Sequence, residues 1–263
     1  MRMMLWVVRV LLCFGLTAGT VYPAHADRPL QLAVASDLRF AMQDMIRAYN
    51  DKYPNYRVQL IFGSSGKLTT QIQHGAPYDI LFAADIAFPE RLVSAGLAAG
   101  DPEPYALGRL VLWSRHLPVE SLGIETLEQP RVRRIAIAQP QHAPYGMRAQ
   151  QALEKLGLWD TLSHKIVYAE NIAQAAQMAQ SGAVDVAIIA QALARSSGMQ
   201  HRNYYLLDEA LHEPLVQGFV VTIRGNTHPQ LNDFLKFIQS SDAAVIKQRY
   251  GFGLISTLEA RND

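Results

Sequence analysis

Two strand-to-helix junctions carry the residue types that hold small anions. Ala35-Ser36-Asp37 follows the apolar run that starts at Leu30, and Gly63-Ser64-Ser65-Gly66-Lys67 follows Val58-Gln59-Leu60-Ile61-Phe62. Where a helix begins, its first backbone N–H groups have no partner inside the helix, and the aligned peptide dipoles add partial positive charge. Serine hydroxyls supply further donors and glycine lets the backbone come close, so such a junction can hold an anion. The same residues also suit plain helix capping, because Ser and Asp are preferred caps. Either junction alone favours the cap, whereas two side by side leave the readings balanced. In the second half of the chain, His142-Ala143-Pro144-Tyr145-Gly146 and Ala169-Glu170-Asn171-Ile172 again put helix starts at strand exits. Asn171 reads as a cap and Tyr145 as a turn aromatic covering a cleft. Four such helix starts could converge on one small anion.

Other chemistries fit these residues less well. A phosphate-loop motif fails on spacing, since Ile61 stands where its first glycine belongs and Leu68 where its Ser or Thr belongs. No Gly-x-Ser-x-Gly elbow occurs, and the eight histidines show no helical i, i+4 metal pairing. Asp37 and Asp85 could form a carboxylate pair, but both read more simply as caps and turns. Adjacent Tyr204 and Tyr205 could ligate ferric iron as phenolates, although in a strand their rings would point to opposite faces. No catalytic constellation emerges, so an enzyme is not expected and no cofactor is implied.

The elements that must position these residues alternate in type. Strands are predicted at 30–35, 58–62 and 79–83, with helices at 37–52, 67–74 and 88–95 between and after them. The alternation breaks at a long extended run, Leu107 to Trp113, then resumes with strands at 134–138, 166–168 and 184–189 and helices at 147–156 and 172–180. A second extended run spans Leu215 to Ile223, and helices at 229–239 and 242–249 close the chain. Strand–helix–strand repetition implies α/β lobes, each a mostly parallel sheet flanked by helices. Two long connections imply two lobes with a cleft between them: residues 27–106 plus 217–263, and residues 107–216. Small ligands bind in such clefts, beyond the carboxyl ends of the strands.

Composition supports a globular chain: 49% of its 263 residues are hydrophobic and 18% charged, with a net charge of +1. That excludes a disordered chain and removes the broad basic footprint of a nucleic-acid binder. Residues 1–26 differ from the rest. Arg2 precedes an apolar stretch from Leu5 to Tyr22, broken only by Arg9, and Ala24-His25-Ala26 has the small-x-small pattern of a cleavage site. The segment reads as a secretory signal peptide cleaved after Ala26, being shorter than the roughly 20 apolar residues of a spanning helix. Its loss removes Cys13, the only cysteine, together with Arg2 and Arg9, so the remaining chain carries −1. Thiol chemistry, disulfides and cysteine metal sites are thereby excluded.

An ordered set of motifs resembles the periplasmic molybdate-binding proteins of ABC transporters, members of the type II periplasmic solute-binding family. It comprises Ala-Ser-Asp-Leu at 35–38, Phe-Gly-Ser-Ser-Gly-Lys-Leu at 62–68, Gly-Ala-Pro-Tyr-Asp at 75–79, Phe-Ala-Ala-Asp at 82–85, Leu-Gly-Arg-Leu-Val at 107–111, Ala-Pro-Tyr-Gly at 143–146, Leu-Gly-Leu-Trp-Asp at 156–160, Ala-Glu-Asn-Ile at 169–172 and Arg-Tyr-Gly-Phe at 249–252. The resemblance implies two lobes joined by two crossovers, and a tetrahedral molybdate or tungstate held by neutral donors. It makes Ser36 and Ser65 ligands through hydroxyl and backbone N–H, and Tyr145 and Ile172 ligands through backbone N–H. Some members place a tyrosine, donating its hydroxyl, just after the strand that here ends at Ile189; this chain has Ala190 there, so that bond is absent or Tyr145 supplies a hydroxyl from another direction.

A site made only of donors would suit fully ionised dianions and reject a protonated phosphate, which needs an acceptor. Asp37 would spoil this by facing the cleft, and is expected to turn away and cap its own helix. The resemblance further implies an exported periplasmic monomer that closes by a hinge near Leu107 and Leu215 and delivers its anion to a membrane permease. Sulfate, phosphate or ferric iron as ligand, or a serine hydrolase using Ser36 or Ser65, are the alternatives.

Overall fold

The computed structural model describes residues 28–200, 204–253 and 255; the expected signal peptide lies outside the described residues. The first half builds β1 (Leu30–Ala35), a single 3₁₀ turn (Ser36–Leu38), α1 (Arg39–Lys52), β2 (Val58–Gly63), α2 (Ser65–Gln73), β3 (Ile80–Ala83), α3 (Ala87–Ser94) and β4 (Glu103–Gly108). There follow β5 (Leu110–Trp113), α4 (Val119–Leu122), β6 (Ile135–Ala138), α5 (Pro144–Lys155), α6 (Trp159–Leu162), β7 (Ile166–Ala169), α7 (Ile172–Ser181), β8 (Val186–Ala190), α8 (Gln191–Ala194) and β9 (Tyr204–Leu206). The chain ends with β10 (Leu215–Val221), α9 (Leu231–Ile238) and α10 (Ser241–Arg249).

The strands form two five-stranded sheets, ordered β2-β1-β3-β10-β4 and β7-β6-β8-β5-β9. β1 pairs in parallel with β2 and β3, and β6 with β7 and β8. In each sheet one strand runs against its neighbours. β10 is antiparallel to β3 and β4, and β5 is antiparallel to β8 and β9. Each is the first strand the chain makes after changing sheets.

The extended run expected from Leu107 to Trp113 is therefore two strands in different sheets. Leu107 and Gly108 pair with Val216 and Leu215 in the first sheet, while Leu110 pairs with Ala190 in the second. The sheet change falls at Arg109 on the way out, two residues after the expected 107, and between Leu207 and Leu215 on the way back, ahead of the expected 216. Backbone pairing decides the positions: Arg109 spends its carbonyl on the Gln191 N–H (2.9 Å) and its guanidinium on Glu209 (3.0 Å), outside either ladder.

Alternation along β1 separates two faces of the first sheet. Leu30, Leu32 and Val34 pack with Met42, Tyr49 and Phe234 from α1 and α9, whereas Ala33 packs with Leu68, Ile72 and Leu92 from α2 and α3. Burying both faces favours the continuous apolar runs of parallel sheets. In the second sheet Ile135–Ala138 and Val186–Ala190 are wholly buried around Trp113, Leu153 and Ala175. The two sheets thus point the carboxyl ends of their parallel strands, and the helix starts that follow, at a common seam.

Candidate functional site

Small residues end the strands at that seam: Ala35 on β1, Gly63 on β2, Ala84 just past β3. With Ser36, Asp37, Ser64 and Ser65 from one lobe and Ala143, Pro144, Tyr145 and Ile172 from the other, they line a cavity with about 10 Å³ of free space. Pockets for drug-sized ligands run from about 300 Å³ upward, so this one has room only for a small species. All four expected ligand positions, Ser36, Ser65, Tyr145 and Ile172, line it, each at most 4% exposed. Four helical segments start at its wall, at Ser36, Ser65, Pro144 and Ile172. Their unpaired amides and positive dipole ends favour an anion there.

Local chemistry prepares these donors. The Ser65 hydroxyl oxygen accepts the Ala84 N–H (3.0 Å), leaving its own proton to donate elsewhere. Asn171 caps α7 by accepting from Ala173 and Gln174 (both 3.1 Å), so the Ile172 amide stays outside the cap. Helix α5 starts at Pro144, three residues earlier than expected, because a proline at a first helical position sacrifices no hydrogen bond. That extension draws Tyr145 into the first turn. Ala190 pairs with Leu110 at the end of β8 and does not line the cavity, so Tyr145 brings the only phenol among the lining residues.

Asp37 does not behave as expected. It does not turn away from the cleft, although the amides of its own turn, Asp37 and Leu38, act on its carboxyl. Its carboxyl is 1% exposed, lines the cavity, and accepts from Gln217 Nε2 at 2.5 Å; the same amide group donates to the Tyr145 hydroxyl at 3.0 Å. Burial pushes the Asp37 carboxyl up to about 6, against the smaller opposing pull of Gln217, Tyr145 and nearby amides. The site therefore contains an acceptor, and the argument that it must reject a protonated phosphate fails. Gln217 itself went unnoticed in the sequence, where its only signal is a lone amide in the apolar strand Leu215–Val221.

The lobes meet directly around the cavity. The Gly66 N–H donates to the His142 carbonyl (2.9 Å), and Ser64 Oγ lies 2.9 Å from His142 Nδ1. Burial, with Lys67 nearby, lowers the pKa of His142. Arg148 on α5 reaches Asp85 beyond β3 at 2.8 Å, both side chains about one-tenth exposed, and Lys67 meets Glu170 at 3.1 Å. Asp85 thus forms no carboxylate pair with Asp37. One oxygen takes Arg148 and the other caps the Ala87 N–H (3.0 Å).

Tyr204 and Tyr205 lie away from the cavity on β9. The Tyr204 hydroxyl accepts from Gln191 (2.9 Å), and the Tyr205 ring sits against Gly123. Among the described residues no cluster of three or more His, Cys, Asp or Glu could hold a metal ion.

Comparison with known proteins places this geometry. Residues 30–253 match the model of the bacterial extracellular solute-binding protein family. The molybdate-binding protein ModA of Azotobacter vinelandii is 31% identical over 92% of this chain and 97% of its own length. That of Rhodobacter capsulatus is 30% identical over 90% and 93%. The solved periplasmic molybdate-binding protein of Azotobacter vinelandii superposes with a TM-score of 0.79, covering 86% of this chain and 99% of that one at 31% identity. Two sheets, a small interlobe cavity and a match over nearly all the described residues lead to one conclusion: the chain belongs to the bacterial extracellular solute-binding proteins, and is a binding protein rather than an enzyme.

Proposed function

We propose that the protein captures molybdate or tungstate in the cavity between its lobes. The observation that carries this reading is the convergence of Ser36, Ser65, Tyr145 and Ile172, two from each lobe, on one small cavity. The named function of the ModA relatives supports it. In this reading Ser36 and Ser65 donate hydroxyl and backbone N–H groups, and Tyr145 and Ile172 donate backbone N–H groups. No cofactor takes part. The protein works as a periplasmic monomer, released from its signal peptide after Ala26, that closes about the crossovers near Leu107 and Leu215 and hands its anion to the membrane permease of an ABC transporter.

Thermal unfolding with molybdate, tungstate, sulfate, phosphate and ferric citrate tests the ligand. A ligand at a hundred times its dissociation constant stabilises the folded state by about 2.7 kcal/mol, so micromolar molybdate or tungstate should raise the melting temperature by several degrees. No shift with either would overturn the reading. One observation favours a second ligand class: the Asp37 carboxyl could accept the proton of hydrogen phosphate or hydrogen arsenate. Stabilisation by phosphate but not molybdate would establish that alternative.

A further inference from the structure

Asp37 puts a carboxyl in the wall of a cavity otherwise built from donors. Its Oδ1 meets no hydrogen-bond donor among the described residues, although the side chain is buried. An ionised carboxylate beside a bound dianion is an arrangement Coulomb's law disfavours, and burial strengthens the repulsion. No neighbour neutralises it. The titratable groups that face it are the phenols of Tyr145 on α5 and Tyr105 on β4, both kept neutral because burial and the Asp37 charge push their pKa values well above the ordinary one. Strand β10 contributes the neutral amide of Gln217. On α1, Arg39 lies over the Phe62 ring, its guanidinium 4.6 Å from the ring centre, and α7 and α8 carry no charged residue. At the seam Arg148 is engaged by Asp85 and Glu213, and Lys67 by Glu170.

Resting on the oxyanion reading above, we propose that the protein takes up its anion together with one proton, which Asp37 receives from solvent and presents as an O–H donor to an anion oxygen. The carboxyl then changes from the group that repels the ligand into one more hydrogen bond to it. Its pKa of about 6 in the free protein leaves it mostly ionised at neutral pH. A neighbouring dianion raises it further, so binding draws the proton in.

Linkage fixes the sign of the pH dependence. Above about pH 6 the free protein lacks a proton that the complex holds, so affinity falls by up to tenfold per pH unit. Below about pH 6 the proton is already in place and the dependence levels off. Hydrogen phosphate carries its own proton to the ionised carboxylate and needs none from solvent. Asp37 thus sets which protonation state of an oxyanion the cavity accepts.

Calorimetric titration of sodium molybdate into the purified protein at pH 7.5, in two buffers of different ionisation enthalpy, reads the protons directly. Uptake of close to one proton per molybdate is expected, with a dissociation constant that rises from pH 6 to 8. Molybdate is itself a full dianion there, so the proton belongs to the protein. D37N places an amide N–H where the protonated carboxyl would donate. It should bind molybdate with no proton uptake and a flat pH profile, whereas uptake by His142 at the seam would survive the substitution and overturn the assignment. Wild-type binding without proton uptake would overturn the proposal outright, even if the variant failed to fold. Absence of molybdate heat in both buffers would instead remove the molybdate reading, and the proposal with it.

Discussion

Asp37 burdens the fold before any ligand arrives. An aspartate in the unfolded chain titrates near 3.8 and in the folded protein near 6. Between those values the folded state holds more protons than the unfolded state, so stability falls as pH rises through the window and is level above it. A shift of about two units corresponds to roughly 3 kcal/mol. The ligand-free Asp37→Asn variant should therefore melt at a higher temperature than wild type at pH 8, the difference vanishing near pH 4; equal melting at pH 8 would show that the carboxyl is better solvated than its burial implies. Ser65 is a second case: its hydroxyl oxygen accepts the Ala84 N–H in the fold, while its proton is free for ligand. Ser65→Ala should weaken molybdate binding by about 1–3 kcal/mol, the cost of leaving a buried charged oxygen short of a partner, as measured by calorimetry. Unchanged affinity would remove Ser65 from the site. The serine was legible in the sequence because a helix start advertises itself in a few neighbouring residues. The role of Asp37 was not, since its main partner, Gln217, is 180 residues away and local habit pointed to a cap.

At the scale of elements, the contact between α2 and the loop before α5 turns on one residue. A Cβ on Gly66 would stand 2.8 Å from both the Cβ and the carbonyl oxygen of His142, closer than atoms can pack. The glycine lies inside a helix without a positive φ, so Gly66→Ala should strengthen α2 itself by up to about 1 kcal/mol. The same methyl would wedge the lobes apart. The expected outcome is a protein at least as stable without ligand but binding molybdate at least tenfold more weakly; unweakened binding would show that the seam can shift to accept the methyl. Apolar periodicity made the helices of eight or more residues and most strands legible to within a few residues, because each lobe buries its elements on predictable faces, whereas the one-turn helices α4, α6 and α8 are too short to show a period. The crossover was legible to within two residues of Arg109, where Gly108 interrupts the apolar run. Which ladder each flanking strand joins was not, because it depends on partners contributed much later, at Ala190 and Leu215.

At the scale of the molecule, the two lobes are held shut by pairs of unequal worth. Lys67 and Glu170 are about half exposed, and such pairs contribute roughly 0–1 kcal/mol. Arg148 and Asp85 are nearly buried, and a buried charge stripped of its partner costs several kcal/mol. Opening the lobes would return Asp85 to water, so the penalty of Arg148→Met falls on the closed form. This variant should release molybdate at least tenfold faster than wild type in stopped-flow displacement, while Lys67→Met changes the rate less than about fivefold. Equal effects from the two would refute this ranking. The placement of β10 also sets an order of assembly. The second sheet is complete with residues 110–206, whereas the first cannot join β3 to β4 until Leu215–Val221 arrives between them. As the chain emerges from its amino end, the later-written lobe therefore finishes first, and the lobe that begins the sequence waits with an open edge for the strand that joins β3 to β4.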